Sequence, residues 1–285
     1  VIGETTIPLA VRLRFGRAAV QVVADQIGAD ILHIKGDAVD PSLRAHRFGT
    51  DVDILVRPRH VRLLDEAVRD QGWELYSSFE YGSPFGHAQT YLHESWGHLD
   101  LHRSFPGIRL DPDEAFDVLA RDGSTIEVAD VTCAVPGIRA QAALLLLNAA
   151  RAGGRREQDV EQLWDAASRE QRAGVRALAG ELRADVAFSA AVGGLEHHRG
   201  APDYRLWKVI SEGGSRSEEW WARIRAAPTF GSALRLIARA PRVNVERLAH
   251  DLGRDPTWAE ILVASVKRPV TAVSDAWTRS RAGAA

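Results

Sequence analysis

The segment FGTDVDILVRP, residues 48–58, sets two aspartates one residue apart inside an otherwise apolar run. Val52, Ile54, Leu55 and Val56 are core residue types, and so short an apolar run reads as a buried strand. Side chains two apart on a strand share a face, so Asp51 and Asp53 project together. Two like charges on a hydrophobic strand cost folding free energy unless something positive neutralises them. The chain must therefore build a sheet around this strand and bring a cation to that face. The plainer alternative is one aspartate capping a turn and the other in a surface salt bridge.

A second strand carries ionisable groups on one side. In GHLDLHR, residues 97–103, alternation puts Leu99 and Leu101 on one face and His98, Asp100 and His102 on the other. Asp100 beside Asp51 and Asp53 would complete a three-carboxylate cluster. Hard oxygen ligands of this kind suit Mg²⁺, which keeps several waters and takes the rest of its shell from substrate phosphates. Asp51, Asp53 and Asp100 are thus the candidate metal ligands and catalytic residues, with His98 and His102 as auxiliaries. The alternative for Asp100 and the histidines is the exposed polar face of an antiparallel strand. For His102 alone, a structural hydrogen bond is preferred to metal ligation.

Around these strands the pattern alternates. Residues 9–27 repeat apolar groups at helical spacing and stop at Gly28, and 30–36 is a short apolar run closed by glycine. An amphipathic helix is expected over 58–73, ended by Gly72, then strands within 73–82, 87–95 and 97–103. A short helix over 111–123, a strand pair or extended segment over 124–135 and a helix over 136–154 follow. Beyond 155 the chain reads as helices, at 156–168, 170–186, 215–227, 229–240, 244–252 and 256–267, with joints at 193–203 and 211–217. The expected class is α+β: a mixed β-sheet with flanking helices over residues 1–135, a helical domain over 136–275 and a disordered tail over 276–285.

The 285 residues suffice for one large or two ordinary domains, and a net charge of −2 excludes binding to nucleic acid or membranes through bulk charge. Arginine supplies 33 of the 36 basic residues, which favours bidentate phosphate contacts wherever cations cluster. The single cysteine, Cys133, excludes an internal disulfide and any multi-thiolate metal site. No apolar run reaches membrane-spanning length and the start lacks the order of a secretory signal, so a cytoplasmic location without membrane partners is expected. The chain has no methionine, so its start is read as trimmed.

The stretch KGDAVDPSLRAHRFGTDVDILV, residues 35–56, resembles the nucleotidyltransferase superfamily that includes DNA polymerase beta. Its members place a strand, a glycine turn, then D-x-D on the next strand. Within it the chain is similar to an uncharacterised bacterial nucleotidyltransferase-like family with K-G, a following Arg, D-[IV]-D-L-L-V, L-x(3)-G-[YW] and a later [ED]-L-H. Those positions are Lys35 and Gly36, Arg47, Asp51 and Asp53, Gly72 and Trp73, and Asp100 and His102, within a likeness covering roughly residues 30–165. The chain departs at Asp37, where relatives commonly carry a small residue that contacts nucleotide phosphates.

The resemblance implies transfer of a nucleotidyl group from a nucleoside triphosphate, ATP among them, to an acceptor, with pyrophosphate leaving and one or two Mg²⁺ ions as cofactor. It implies phosphate contacts from Lys35, the Gly36 backbone, Arg44 and Arg47. It also implies a nucleotide-facing helix offering Arg151, Arg155, Arg156 and Asp159. A charged outer helix face and a solvated loop are the plainer accounts of these residues. On this reading Asp53→Ala abolishes transfer, keeps the fold and relieves repulsion in the metal-free protein. Relatives modify small molecules such as antibiotics, proteins or peptides, or the 3′ end of tRNA, the last as toxins of toxin–antitoxin pairs; neither acceptor nor oligomeric state is written in the sequence. A tRNA acceptor needs a positive track, for which residues 12–17 and 151–157 are candidates.

Three other readings compete. A catalytically inactive nucleotidyltransferase-fold binding module would explain Asp37. A His/Asp metal hydrolase using His98, Asp100 and His102 leaves Asp51 and Asp53 unexplained. A kinase-type catalytic loop at HLDLH fails, because Phe105 stands where such loops place a metal-binding Asn. Adjacent His197 and His198 diverge on a helix and read as a loop pair.

Overall fold

The computed structural model describes residues 7–44, 49–81, 85–227, 229–239 and 243–265, so Arg47 and the expected tail lie outside the described residues. Helix α1 (Leu9–Ile27) buries Leu13, Gly16, Arg17, Val20 and Ala24, one stripe at helical spacing, and ends where Gly28 takes φ 67° and caps it. Strand β1 (Ile31–His33) is shorter than expected because the chain turns out at Gly36, whose φ of 59° suits glycine. Strands β2 (Asp51–Val56), β3 (Glu74–Ser77), β4 (Ala88–His93) and β5 (Gly97–His102) complete a mixed sheet in the order β1-β2-β5-β4-β3. Only the β2–β5 pair is parallel.

One face of this sheet presents Val52, Ile54, Val56, Leu99 and Leu101 to α1 and α2 (Val61–Asp70). From β4 the Tyr91 hydroxyl bonds Asp65 of α2, and Gln89 donates to the same carboxylate at 3.3 Å. The other face presents Leu32, Ile34 and Leu55 to Phe105, to α3 (Pro112–Ala120) and to the apolar helix α4 (Ile138–Ala152). Between α3 and α4 a hairpin, β6 (Ser124–Val128) and β7 (Val131–Val135), packs beside α1 and β1. The architecture is α+β, as the sequence pattern requires.

The helical half departs in detail. The expected helix 156–168 is a short α-turn at Gln158–Val160 (α5) continued by a π-turn at Glu161–Asp165. The expected helix 170–186 is two: α6 (Arg169–Glu181) and α7 (Asp185–Val192). They are separated because the Leu182 carbonyl accepts from the backbone of Arg109 and Leu110, both at 3.2 Å, while Arg183 takes φ 52°. Helix α8 (Tyr204–Glu212), unassigned from sequence, buries Leu206 and Trp207. Then come α9 (Arg216–Ala226), α10 (Phe230–Arg239) and α11 (Val245–Leu252). Helices α4 to α8 share one apolar cluster with β1, β2 and α3. No described helix is long and apolar enough to cross a membrane.

Candidate active site

Parallel register sets Asp51 opposite His98, Asp53 opposite Asp100 and Leu55 opposite His102. Because partners across a ladder share a face, the three carboxylates lie together on the face opposite α1. One ligand atom from each of Asp53, Asp100 and His102 lies within 4.8 Å of the others. Asp51 stands two residues before Asp53 on the same face, outside that tightest group. The third carboxylate could have emerged on the reverse face; it does not.

Asp53 is 4 % exposed. Its Oδ1 accepts from Lys35 Nζ at 2.5 Å and lies 2.8 Å from His102 Nε2. Burial opposes its ionisation, but the Lys35 charge and the His102 bond outweigh this and hold its carboxyl well below the usual range. His102 is fully buried, and burial with the nearby Lys35 charge lowers its pKa, so a neutral ring donating from Nε2 fits the contact. Its Nδ1 has no partner among the described residues.

Asp51 lies in the opposite regime. Burial, with the charges of Asp53 and Asp100, pushes its carboxyl up to about 6. Asp100 Oδ1 accepts from Thr90 Oγ1 at 2.6 Å. The repulsion between the aspartates therefore falls on Asp51. The sequence expectation that removing Asp53 relieves the metal-free protein is accordingly revised: Asp53 is the acid the chain neutralises itself.

The other candidates are distributed around this cluster. A Cβ on Gly49 would meet the Gly36 Cα at 3.5 Å, an ordinary contact, so it is the φ of 59° at Gly36 rather than crowding that calls for glycine in this turn. Asp37 turns toward Arg44, 3.7 Å away, with its side chain 56 % exposed. Arg44 folds back onto its own loop, donating to the Val39 carbonyl at 2.7 Å and the Asp37 carbonyl at 2.8 Å. Arg151, at the end of α4, lies with Nη1 3.2 Å from His87 Nε2, and its charge is favoured by Asp53 and Asp100 against the cost of burial. Asp159 is half-buried on α5. His98 packs against Tyr76, which also meets His250 of α11, so the last helices reach the open side of the sheet. His197 and His198 bond the Gly194 carbonyl and Ser189, as expected of a loop pair.

Sequence reasoning missed three groups. His87 sits 5.2 Å, ring to ring, from His102 and is pushed down to about 2 by burial and its charged neighbours. Arg223 of α9 shares the Phe85 ring with Arg151. Arg17 is buried on the apolar stripe of α1, a placement the helical spacing of Leu13, Val20 and Ala24 already marks.

A divalent cation fits this donor set. Lys35 and His102 engage one oxygen of Asp53 and Thr90 one of Asp100, and no side-chain hydrogen bond from the described residues reaches their second oxygens. Three carboxylates against the half-buried Lys35 ammonium and the Arg151 guanidinium leave the face short of positive charge among the described residues.

No protein-family model matches the chain, and no curated protein does. Among solved structures it is similar to the lincomycin-bound lincosamide antibiotic adenylyltransferase LnuA, at 14 % identity and a TM-score of 0.32 over 56 % of this chain and 92 % of that one. It is also similar to an antigenic nucleotidyltransferase-like protein from Paracoccidioides brasiliensis, at 16 % identity and a TM-score of 0.38 over 64 % of this chain and 94 % of that one. Both scores are too low to carry an argument, and the site stands on its own geometry.

Proposed function

We propose that the chain is a Mg²⁺-dependent nucleotidyltransferase, with its core in residues 1–135 and a helical part over 136–275 closing one side of the site. The observation that carries the reading is the parallel register that sets Asp53 opposite Asp100 with Asp51 on the same face.

In the proposed reaction an acceptor oxygen bonds the α-phosphorus of a nucleoside triphosphate, the bond to the β-phosphate bridging oxygen breaks, and pyrophosphate leaves. Asp51, Asp53 and Asp100 would hold Mg²⁺, which would supply charge neutralisation and Lewis acidity to the transferring phosphoryl group. Asp100 accepts the acceptor's proton. Lys35 keeps Asp53 ionised, and its ammonium and the Gly36 backbone are the nearest phosphate-binding groups on the β1 side. Arg151 faces the cluster from the helical side, where its charge is stabilised by Asp53 and Asp100. His102 fixes the Asp53 rotamer, and His98 lines the strand beside Asp51. Arg47 belongs to the proposal by resemblance only, and Asp159 by its place on α5.

The test is incubation with α-labelled nucleoside triphosphates, Mg²⁺ and fractionated cell extract. Label should enter one acceptor fraction with wild-type chain and none with Asp100→Asn. The second reading is a binding module, favoured by Asp37 in the phosphate turn. The orientation of Asp37 toward Arg44 weakens that reading. Thermal stabilisation by Mg²⁺ and a triphosphate without labelling of any fraction would select it.

A further inference from the structure

Arg17 is 2 % exposed, and no carboxylate lies within ion-pair distance of it among the described residues. Among the described residues its one hydrogen bond runs from Nη2 to the Lys35 carbonyl at 3.3 Å, and its Nε has no partner. An uncompensated buried guanidinium costs several kcal/mol in a typical protein. Burial lowers the Arg17 pKa from the ordinary arginine value, opposed by the attraction of Asp37 and Asp53. Arginine keeps its proton even so, and the charge needs an anion.

Arg17 lines a cavity of about 340 Å³ bounded by α1, the loop 37–44 and the β6–β7 hairpin. This cavity is not the carboxylate site. Arg17 comes from α1, which packs on the Val52 face of the sheet, and its Nη2 reaches the Gly36 turn, where a Cβ on Gly36 would lie 3.4 Å from it. None of Lys35, Asp51, Asp53 or Asp100 lines it.

Arg14 and Arg44 line the same space, and Arg14 makes no ion pair among the described residues. The acids there are already engaged. Asp40 accepts from the Ser42 backbone and hydroxyl at 2.9 and 2.6 Å, Glu127 accepts from Thr132 at 2.6 Å, and Asp37 faces Arg44. Gln141 spends both ends of its amide on Asp40 N and the Pro136 carbonyl, each at 2.7 Å, which fixes the floor of the cavity.

We propose that this cavity, whose lining includes none of the three carboxylates of the cluster, is a binding site for a phosphate group held by Arg17 with Arg14 and Arg44. Guanidinium groups match tetrahedral oxyanions bidentately, and a buried donor with a free N–H supplies affinity that a surface arginine does not. Occupancy would clamp α1 to the loop 37–44. The inference stands whether or not the carboxylate site transfers nucleotides.

The experiment uses the full chain in EDTA at matched ionic strength, titrated with inorganic phosphate or phenyl phosphate and read by melting temperature and calorimetry. At ten times the dissociation constant, linkage raises the melting temperature by about 3–5 °C. Stronger binding of the free ion points to a phosphate effector, and stronger binding of the ester to a phosphorylated small molecule; either supports the site. Asp51→Asn should keep the response, and Arg17→Gln should lose at least tenfold in affinity. An unchanged response in Arg17→Gln, or none in the wild type, overturns the proposal. Should Arg17→Gln fail to fold, hydrogen exchange of the wild type decides. Phosphate must then protect amides in 36–44 and 124–128, and absence of that protection overturns the site.

Discussion

Replacing Asp51 by asparagine should make the metal-free protein more stable, although it removes a proposed catalytic residue. Its carboxyl is raised from 3.8 to about 6 by burial and by the charges of Asp53 and Asp100. An acid whose folded pKa is raised holds its proton more tightly when folded, so stability falls as pH rises from the unfolded toward the folded value. Near pH 7.5 the shift of roughly two units corresponds to a penalty of about 3 kcal/mol relative to a neutral isostere. Near pH 4.5 the folded group is already protonated, and the penalty shrinks to about 1 kcal/mol. Thermal denaturation of wild type and Asp51→Asn in EDTA at the two pH values measures both differences. The expected result is a gain for the variant at pH 7.5, of about 5–10 °C in melting temperature, most of which is absent at pH 4.5. A variant less stable than wild type at pH 7.5, or a gain equal at both, refutes the assignment of the repulsion to Asp51.

Three further outcomes follow from neighbouring residues. Asp53→Asn should destabilise by about 2–4 kcal/mol, since it strands Lys35 Nζ, now 2.5 Å from the carboxylate. Because the Asp53 pKa is depressed, that deficit should persist near pH 4.5 and close only as pH falls further. Arg151→Ala should leave urea stability within about 1 kcal/mol and raise the KM for nucleotide about tenfold or more, read by initial rates once an acceptor is in hand. Gly107→Ala, far from the chemistry, should cost about 2–4 kcal/mol in thermal denaturation, because its φ is 97° and the new methyl would lie 2.5 Å from the Ala187 Cβ.

What could be read from sequence follows the range of the interactions. Helix α1, strand β2 and the β6–β7 hairpin are set by local periodicity and turn residues, and they appear where the pattern places them. Alternation in HLDLH correctly separated Leu99 and Leu101 from Asp100 and His102. Register was not legible: nothing local says that β2 and β5 run parallel with Asp53 opposite Asp100. Nor was the unlike fate of the two aspartates, which depends on Lys35 reaching one of them from the end of β1. The α6–α7 break depends on Leu182 meeting a loop some seventy residues earlier in the chain, a contact no window of sequence contains.

Asp51 and Asp53 thus divide the work of receiving a cation. Asp53 stays ionised well below the usual carboxylate range, because Lys35 and His102 hold it so, whereas Asp51 sheds its proton near pH 6. A divalent ion needs the carboxylate form, and the proton on Asp51 competes with it. Affinity for Mg²⁺ should therefore rise about tenfold per pH unit below pH 6 and level off above pH 7, with release of up to about one proton per ion. Calorimetric Mg²⁺ titrations in buffers of differing ionisation enthalpy measure both quantities. In Asp51→Asn the pH dependence should flatten even where weak binding persists. Affinity in the wild type that ignores pH over this range would mean that Asp51 is no ligand, and that the ion, if bound, is held by Asp53, Asp100 and His102 alone.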